Sequence, residues 1–392
     1  MRAPNLNGAT MRSKRIVYVQ YTNPAGYPPL EHSSQILAAK GWEVLFLGTG
    51  ALGTEALRFP IHPRIQVAQL RFVNAGWLQK IHYLLYAIWV TTRLLRFRPR
   101  WLYLSDPLST PVGAFLRAVT GVKTIYHEHD SLGPSASLFS RLVLAARRKV
   151  TRDADIVIVP NAARAETLKN ESGVQRDVHV VWNCPRLDEI KPARAPSERR
   201  TLNLYYQGSI NPSRLPIALL HALSQTPDSV SLTVVGYETV GHLGYIRHWI
   251  NAARDLGLAG RVHYLGALPT RAEMLRHAAN ADVGLSLVPR SPSDINLANM
   301  VGASNKPFDY MACGLALLVS DIPEWVHIYV EPGYGVACKP EDPNSIRSAL
   351  QWLLENRPRI QEMQSIGVKQ AKERWNYEMA FGPVSAVLEG PA

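Results

Sequence analysis

A βαβ rhythm runs through this chain, breaks at a charged, Pro-rich stretch, and then starts again. Short apolar runs that read as buried strands are predicted at Arg15 to Gln20, Glu43 to Leu47, Trp101 to Leu104, Lys123 to Tyr126, Asp155 to Val159 and Val178 to Val181. Helical segments fall between most of them, which is the order of an open parallel sheet. The run KPARAPSERR, Lys191 to Arg200, has no aliphatic run longer than one residue and reads as an interdomain linker. Strands resume at Leu202 to Tyr206, Ser231 to Val235, Val262 to Leu265, Asp282 to Val288 and Leu315 to Ser320, with helices at Tyr245 to Leu256 and Pro343 to Glu355. A chain of 392 residues is too long for one compact core and suits two domains. The expected fold is α/β, with two Rossmann-like doubly wound domains facing across a cleft. Residues 1–190 form the first domain, 191–200 the linker and 201–374 the second; a terminal helix over 375–392 packs back toward the first. In such sheets ligands bind outside the carboxyl ends of the strands.

The run NKPFDYMACG, Asn305 to Gly314, follows the 282–288 strand after an irregular polar loop and leads into the next strand. Its order is loop, helix start, helix, glycine C-cap, strand. N–H groups at a helix start suit a phosphate, and a carboxylate one turn along, Asp309, can hold a ribose diol. A helix first turn favours an acid in any case, so it is the flanking pattern that carries the nucleotide assignment.

Net charge is +12, and nearly all of it sits in the first half. Residues 1–190 hold 24 Lys/Arg against 13 Asp/Glu, and residues 191–392 hold 19 against 18. From Ala56 to Ser105 there are eight Lys/Arg and no acid, which points to an anionic partner. No nucleic-acid recognition motif accompanies the charge, so nucleic acid is not the expected partner. Three cysteines without metal-like spacing (Cys184, Cys313, Cys338) argue against a disulfide framework and a zinc site. Met1 to Ser13 reads as a disordered leader without the apolar core of a signal peptide, so a cytoplasmic location is expected.

Trp77, Leu78, Ile81, Leu84, Leu85, Ile88, Trp89 and Leu95 share one face of a helix predicted over Trp77 to Phe97, with Lys80, Arg93 and Arg96 off it. Lys80 and His82 interrupt the ~20 apolar residues that a membrane span requires. One reading is a core helix packed on the first sheet by that face. The other is a helix lying in the membrane interface, its basic flanks on anionic lipid. The acid-free surroundings favour the second, a peripheral contact through residues 56–105.

Taken in order, these landmarks resemble the retaining family-4 glycosyltransferases of the GT-B fold. NKPFDYMACG is similar to the family's NKxFEYMAxG helix start, the second half of its Glu-x7-Glu signature, with Asp309 in place of the ribose-binding glutamate. YYQGSINPSRLP, Tyr205 to Pro216, resembles the strand and loop that open the nucleotide domain. There Gly208 permits close backbone approach, and Arg214 takes the place of the family's basic residue on the donor diphosphate. LTVVGY, VHYLGALP, WNYE, ADIVIVPN and VVWNCP match further landmarks, and YHEHD puts His127 and His129 where such enzymes carry a cleft histidine. Two positions depart from the pattern: Val301 stands where the first signature glutamate would fall, and Ser209 where an arginine often follows the glycine.

The resemblance implies a donor site built from Gly208, Ser209, Arg214, Asn299, Ser304, Asn305, Lys306 and Asp309. It implies an acceptor side with Gly26, His127 and His129, and a catalytic pair of His129 and Asp309. Asp153-Ala154-Asp155 looks like the metal-binding DxD of another glycosyltransferase fold, but it precedes a buried strand and reads as a helix end. No metal and no other cofactor is expected. The implied reaction moves a sugar, with retention, from a nucleotide-diphosphate-sugar donor to a lipid-linked or surface-polysaccharide acceptor. A sugar-nucleotide epimerase of the same fold, or a non-catalytic binding subunit, are the alternatives.

Overall fold

The computed structural model describes residues 14–133, 137–192, 201–239, 241–292 and 294–390. The leader over Met1 to Ser13, and residues 193–200 of the expected linker, lie outside the described residues. The first sheet contains β1 (Arg15–Val19), β2 (Glu43–Thr49), β3 (Ile65–Leu70), β4 (Trp101–Ser105), β5 (Lys123–His127), β6 (Ile156–Val159) and β7 (His179–Val180), in the order β3-β2-β1-β4-β5-β6-β7. The second contains β8 (Leu202–Ile210), β9 (Val230–Glu238), β10 (Val262–Tyr264), β11 (Val283–Ser286), β12 (Ala316–Ser320) and β13 (Gly335–Cys338), in the order β10-β9-β8-β11-β12-β13. Both sheets are parallel throughout. Two Rossmann-like α/β domains are therefore what the chain forms.

Parallel strands need helical crossovers, which bury both faces of the sheet. On one face of the first sheet, helices Trp77–Phe97, Thr110–Thr120 and Leu138–Asp153 supply Tyr86, Val90, Leu94, Val112, Leu116 and Val150 to a core with Val17, Leu102 and Val157. Helix Pro28–Ala39 and the last helix, Tyr377–Glu389, cover the other face, where Tyr377, Phe381, Val384 and Leu388 are fully buried. The chain thus crosses between domains a second time before that helix. Trp182 and Trp375 stack at the crossing, with centroids 4.7 Å apart and planes 14° from parallel. Beside them, Tyr377 N–H donates to the Pro185 carbonyl at 2.8 Å, and Leu187 N–H donates to Glu378 Oε2 at 3.0 Å.

Two strands were not anticipated by the pattern, and both are sheet edges. β3, IQVAQL, leaves Gln66, Val67 and Gln69 exposed, so it lacks the unbroken apolar run of a central parallel strand. β13 has only four residues. The helix expected over Trp77 to Phe97 is present, but its apolar stripe does not pack on the sheet. Trp77, Leu78, Ile81, Leu84, Leu85, Ile88 and Leu95 are 47–69% exposed, and the core is reached by Tyr86, Val90 and Leu94 instead. That overturns the core-helix reading of the stripe. Among the described residues no helix is long and apolar enough to cross a membrane.

Candidate active site

Strand order reverses between β1 and β4 in the first sheet and between β8 and β11 in the second. Such switch points open a crevice at the carboxyl ends of the strands. A cleft of about 350 Å³ lies there between the domains. Gly26, Tyr27, His129, Asp130, Arg164 and Asn183 line it from the first domain; Gln207, Gly208, Ser209, Arg214, Tyr237, Arg271, Ser304, Asn305 and Lys306 line it from the second.

The second-domain wall is cationic. Gly208 has φ +106°, and a Cβ there would lie 3.1 Å from Lys306 Cε and 3.3 Å from Nζ. The glycine thus admits the Lys306 ammonium to the end of β8. Lys306 is 7% exposed, and its ammonium meets no hydrogen-bond acceptor among the described residues. Burial first, then the nearby Arg214, pushes its pKa down to about 7, with Asp309 opposing. Arg214 donates from Nη1 to Ser209 Oγ at 2.6 Å, while its buried Nε has no partner. Neither cation forms an ion pair among the described residues, so both remain available to an anion.

The helix start contributes less than its sequence implied. Helix Lys306–Ala312 has seven residues, Pro307 has no N–H, and Ser304 N–H is spent on the Met300 carbonyl. Side-chain cations, not helix amides, dominate this wall.

Asp309 does not reach the cleft, which corrects the expectation of a carboxylate open to a ribose. It is fully buried and accepts from Arg271 Nη2 at 2.5 Å, Arg271 Nη1 at 3.0 Å, Asn305 Nδ2 at 2.6 Å and Gln207 Nε2 at 2.8 Å. Its acceptor positions are filled, and the three groups it holds are themselves on the cleft wall. Arg271 also donates from Nε to Glu189 Oε1 at 2.7 Å, and Glu189 Oε2 lies 3.2 Å from His32 Nε2 in the first domain. A buried line of charge therefore joins the two domains beneath the cleft. Burial alone would raise the Glu189 pKa, but Arg271 and His32 hold its carboxyl well below the usual carboxylate range.

Of the two histidines, only His129 faces the cleft. His127 is fully buried behind it, with ring centroids 3.8 Å apart and Nδ1 2.5 Å from the Tyr103 hydroxyl. The acceptor-side placement of His127 is therefore corrected to a supporting one. His129 has no partner on either ring nitrogen, and burial, then Arg164, lowers its pKa to about 3. A neutral imidazole of that kind can bind a hydroxyl but is a feeble proton acceptor. Beside it Asp106, a non-glycine residue at φ +65°, accepts from the His129 and Asp130 N–H groups at 2.9 and 3.3 Å and so fixes this loop.

Asn299 stands off the cleft in a clasp between domains. Its carbonyl accepts from Asn161 Nδ2 at 3.0 Å and Arg164 Nε at 3.2 Å, while Asn296 exchanges two hydrogen bonds with the Ser131 backbone. Gly302 is needed here: its φ is +74°, and a Cβ would come within 2.8 Å of the Pro160 carbonyl. Val301 is 2% exposed in a core with Phe308 and Trp375, and its carbonyl accepts from Asn161 Nδ2 at 2.7 Å. Restoring the signature acid with Val301→Glu should therefore destabilise the fold by about 3 kcal/mol or more, because it buries a carboxyl without a partner. Urea denaturation measures this, and an unchanged midpoint would show that the site opens.

Arg271, Gln207, Asn183, Arg164 and Asp106 were not singled out by the sequence. Arg271 had a local signal: Thr270 and Glu273 form a capping box that starts its helix at the cleft rim. For the others, the partners are distant in sequence and no local pattern marks them. No three His, Cys, Asp or Glu side chains among the described residues are placed to hold a metal ion.

Residues 30–184 match the family model described as "Glycosyl transferase 4-like domain", and residues 204–356 match "Glycosyl transferases group 1". The chain belongs to the group 1 glycosyltransferases. No curated protein matches its sequence. Among solved structures, sucrose-phosphate synthase from Thermosynechococcus elongatus aligns at TM-score 0.70 and 16% identity, over 95% of this chain and 98% of that one. Anabaena Alr3699/HepE in complex with UDP and glucose aligns at 0.70 and 17%, over 96% and 99%. WaaG, a glycosyltransferase involved in lipopolysaccharide biosynthesis, aligns at 0.67 and 14%, over 96% and 100%. At such identities the likeness speaks to the fold, which is GT-B. In this glycosyltransferase the two matched segments meet at the cleft described above.

Proposed function

We propose that the chain transfers a sugar, with retention and without a bound metal, from a nucleotide-diphosphate donor to a lipid-linked or surface-polysaccharide acceptor in the cytoplasm. The observation that carries this reading is the pair of unpaired cations, Arg214 and Lys306, facing one interdomain cleft. A diphosphate fits them: Arg214 offers a fork for two oxygens, and Lys306 a compact charge beside Gly208. Leu268 and Met274 offer an apolar wall for the base, near Arg271, Asn305 and Gln207 for the ribose. Asp309 then acts as a positioning residue that holds those three polar groups. His129 and Asn183 face them from the acceptor side. In a retaining transfer the departing phosphate takes the acceptor proton on the same face, so the site must stabilise charge rather than supply a nucleophile.

HepE of the same fold is solved in complex with UDP-glucose, so a uridine donor is the first to test. UDP in hundredfold excess over its Kd should stabilise the protein by about 2.7 kcal/mol. A thermal-shift series over nucleoside diphosphates measures this, and Arg214→Ala should remove it while leaving the unliganded melting temperature nearly unchanged. Stabilisation by none of them would overturn the donor site. The buried Val301 favours one rival, a binding subunit without turnover, and nucleoside diphosphate release in the presence of acceptor lipid separates the two.

A further inference from the structure

An apolar helix face turned away from the core requires a covering partner. Helix Trp77–Phe97 has two apolar sides, and only one is used. Tyr86, Val90 and Leu94 enter the core, while Trp77, Ile81, Leu84, Leu85, Ile88 and Leu95 point the opposite way and stay exposed. Its neighbours on the same side of the sheet repeat the pattern at i, i+4. Phe115 and Val119 on helix Thr110–Thr120 are 55% and 58% exposed, and Leu138 and Leu142 on helix Leu138–Asp153 are 72% and 59% exposed. The helices touch: Tyr83 packs edge-on against Phe139 at 5.2 Å. Contiguous exposed apolar surface of this kind marks an interaction site.

The charge around it selects the partner. From Ala56 to Arg152 the sequence has fifteen Lys/Arg and three acids, Asp106, Glu128 and Asp130. Two of the acids belong to the loops at the cleft, and Glu128 is buried against Arg147 at 2.5 Å. The outer surface is left with Arg71, Lys80, Arg93, Arg96, Arg98, Arg141 and Arg148, all exposed. A protein partner could match the apolar face, but a broad apolar raft fringed by basic side chains, whose one acid (Asp153 at the end of the last helix) is paired with Lys149, matches an anionic bilayer.

We propose that helices Trp77–Phe97, Thr110–Thr120 and Leu138–Asp153 form one membrane-docking face, whose apolar side chains enter the headgroup boundary of an anionic lipid surface. This deepens the transferase reading and rests on it for its purpose. In a parallel sheet each helix begins at the carboxyl end of the preceding strand, so Trp77 and Leu138 stand at the same end of the domain as the cleft.

The test uses the full chain and vesicles of phosphatidylcholine, with and without phosphatidylglycerol, in a flotation assay without nucleotide. Binding is expected only to the anionic vesicles and should weaken with salt. Leu84→Glu and Ile88→Glu should each lower it about tenfold, with UDP stabilisation intact. Arg93→Glu with Arg96→Glu should lower it as well. No flotation, or flotation unchanged in the Leu84→Glu and Ile88→Glu variants, overturns the docking face. So does light scattering that shows a dimer dissolved by Leu84→Glu, because the face would then cover a second copy. Vesicle binding without UDP stabilisation would leave this face standing and overturn the donor site; the reverse pattern would do the opposite.

Discussion

Asp309→Ala is expected to abolish turnover and to cost the fold about 3–5 kcal/mol, the penalty for stranding a buried charge partner. The reason lies in what the carboxylate holds. Arg271 would keep Glu189 but lose its bidentate partner, and Asn305 and Gln207 would lose their shared acceptor. Those side chains line the cleft, so activity should fall even where the protein stays folded. Asp309→Asn separates shape from charge: it should fold better than the alanine variant and still lose most activity. Urea denaturation and nucleoside diphosphate release measure the two effects. Near-normal rates in the alanine variant would remove Asp309 from the site. The same network has an acid limit. Glu189 has a depressed pKa, so its contribution is fully present above the ordinary carboxylate pKa and is lost only as pH falls through its lower, folded value. Glu189→Gln should therefore reduce stability at neutral pH and flatten its loss in strong acid.

Donor affinity should weaken about tenfold per pH unit as pH rises above about 7, the pKa to which burial drives Lys306. A diphosphate binds the ammonium form and raises its pKa, so the complex takes up a proton in this range. In the free protein the sign runs the other way for folding. The depressed lysine binds fewer protons than it does unfolded, so stability drops as pH falls through about 7 and is greatest above the unfolded lysine value. Calorimetry of UDP binding in buffers of different ionisation enthalpy reads the proton uptake directly. Lys306→Met should weaken binding at low pH and abolish the pH slope. A flat profile in the unmodified protein would mean the ammonium is not at the diphosphate.

Most of the architecture was legible because central parallel strands are buried on both faces and therefore read as unbroken apolar runs. β3 escaped for the converse reason, since an edge strand with exposed Gln66 and Gln69 resembles a loop. At the site, Gly208, Arg214 and Lys306 were legible as a strand end, a loop and a helix start in sequence order. Asp309 was found at the right helix position but given the wrong exposure. Its burial depends on Arg271, 38 residues away, and nothing local announces that pairing. The stripe on Trp77–Phe97 shows the same limit. Periodicity identified an apolar face but did not say on which side of the helix the sheet would lie. Tyr86, Val90 and Leu94, also at helical spacing, took the core position.

The two chain passages between the domains have a mechanical meaning. One runs through Trp182 and the other through Trp375, and the rings are stacked face to face. A single tether would let the domains swivel and twist freely. Two passages pinned side by side resist twisting where a single one would not, and the Asn161–Val301 clasp and the Arg271–Glu189 pair hold the two walls of the cleft in one registration.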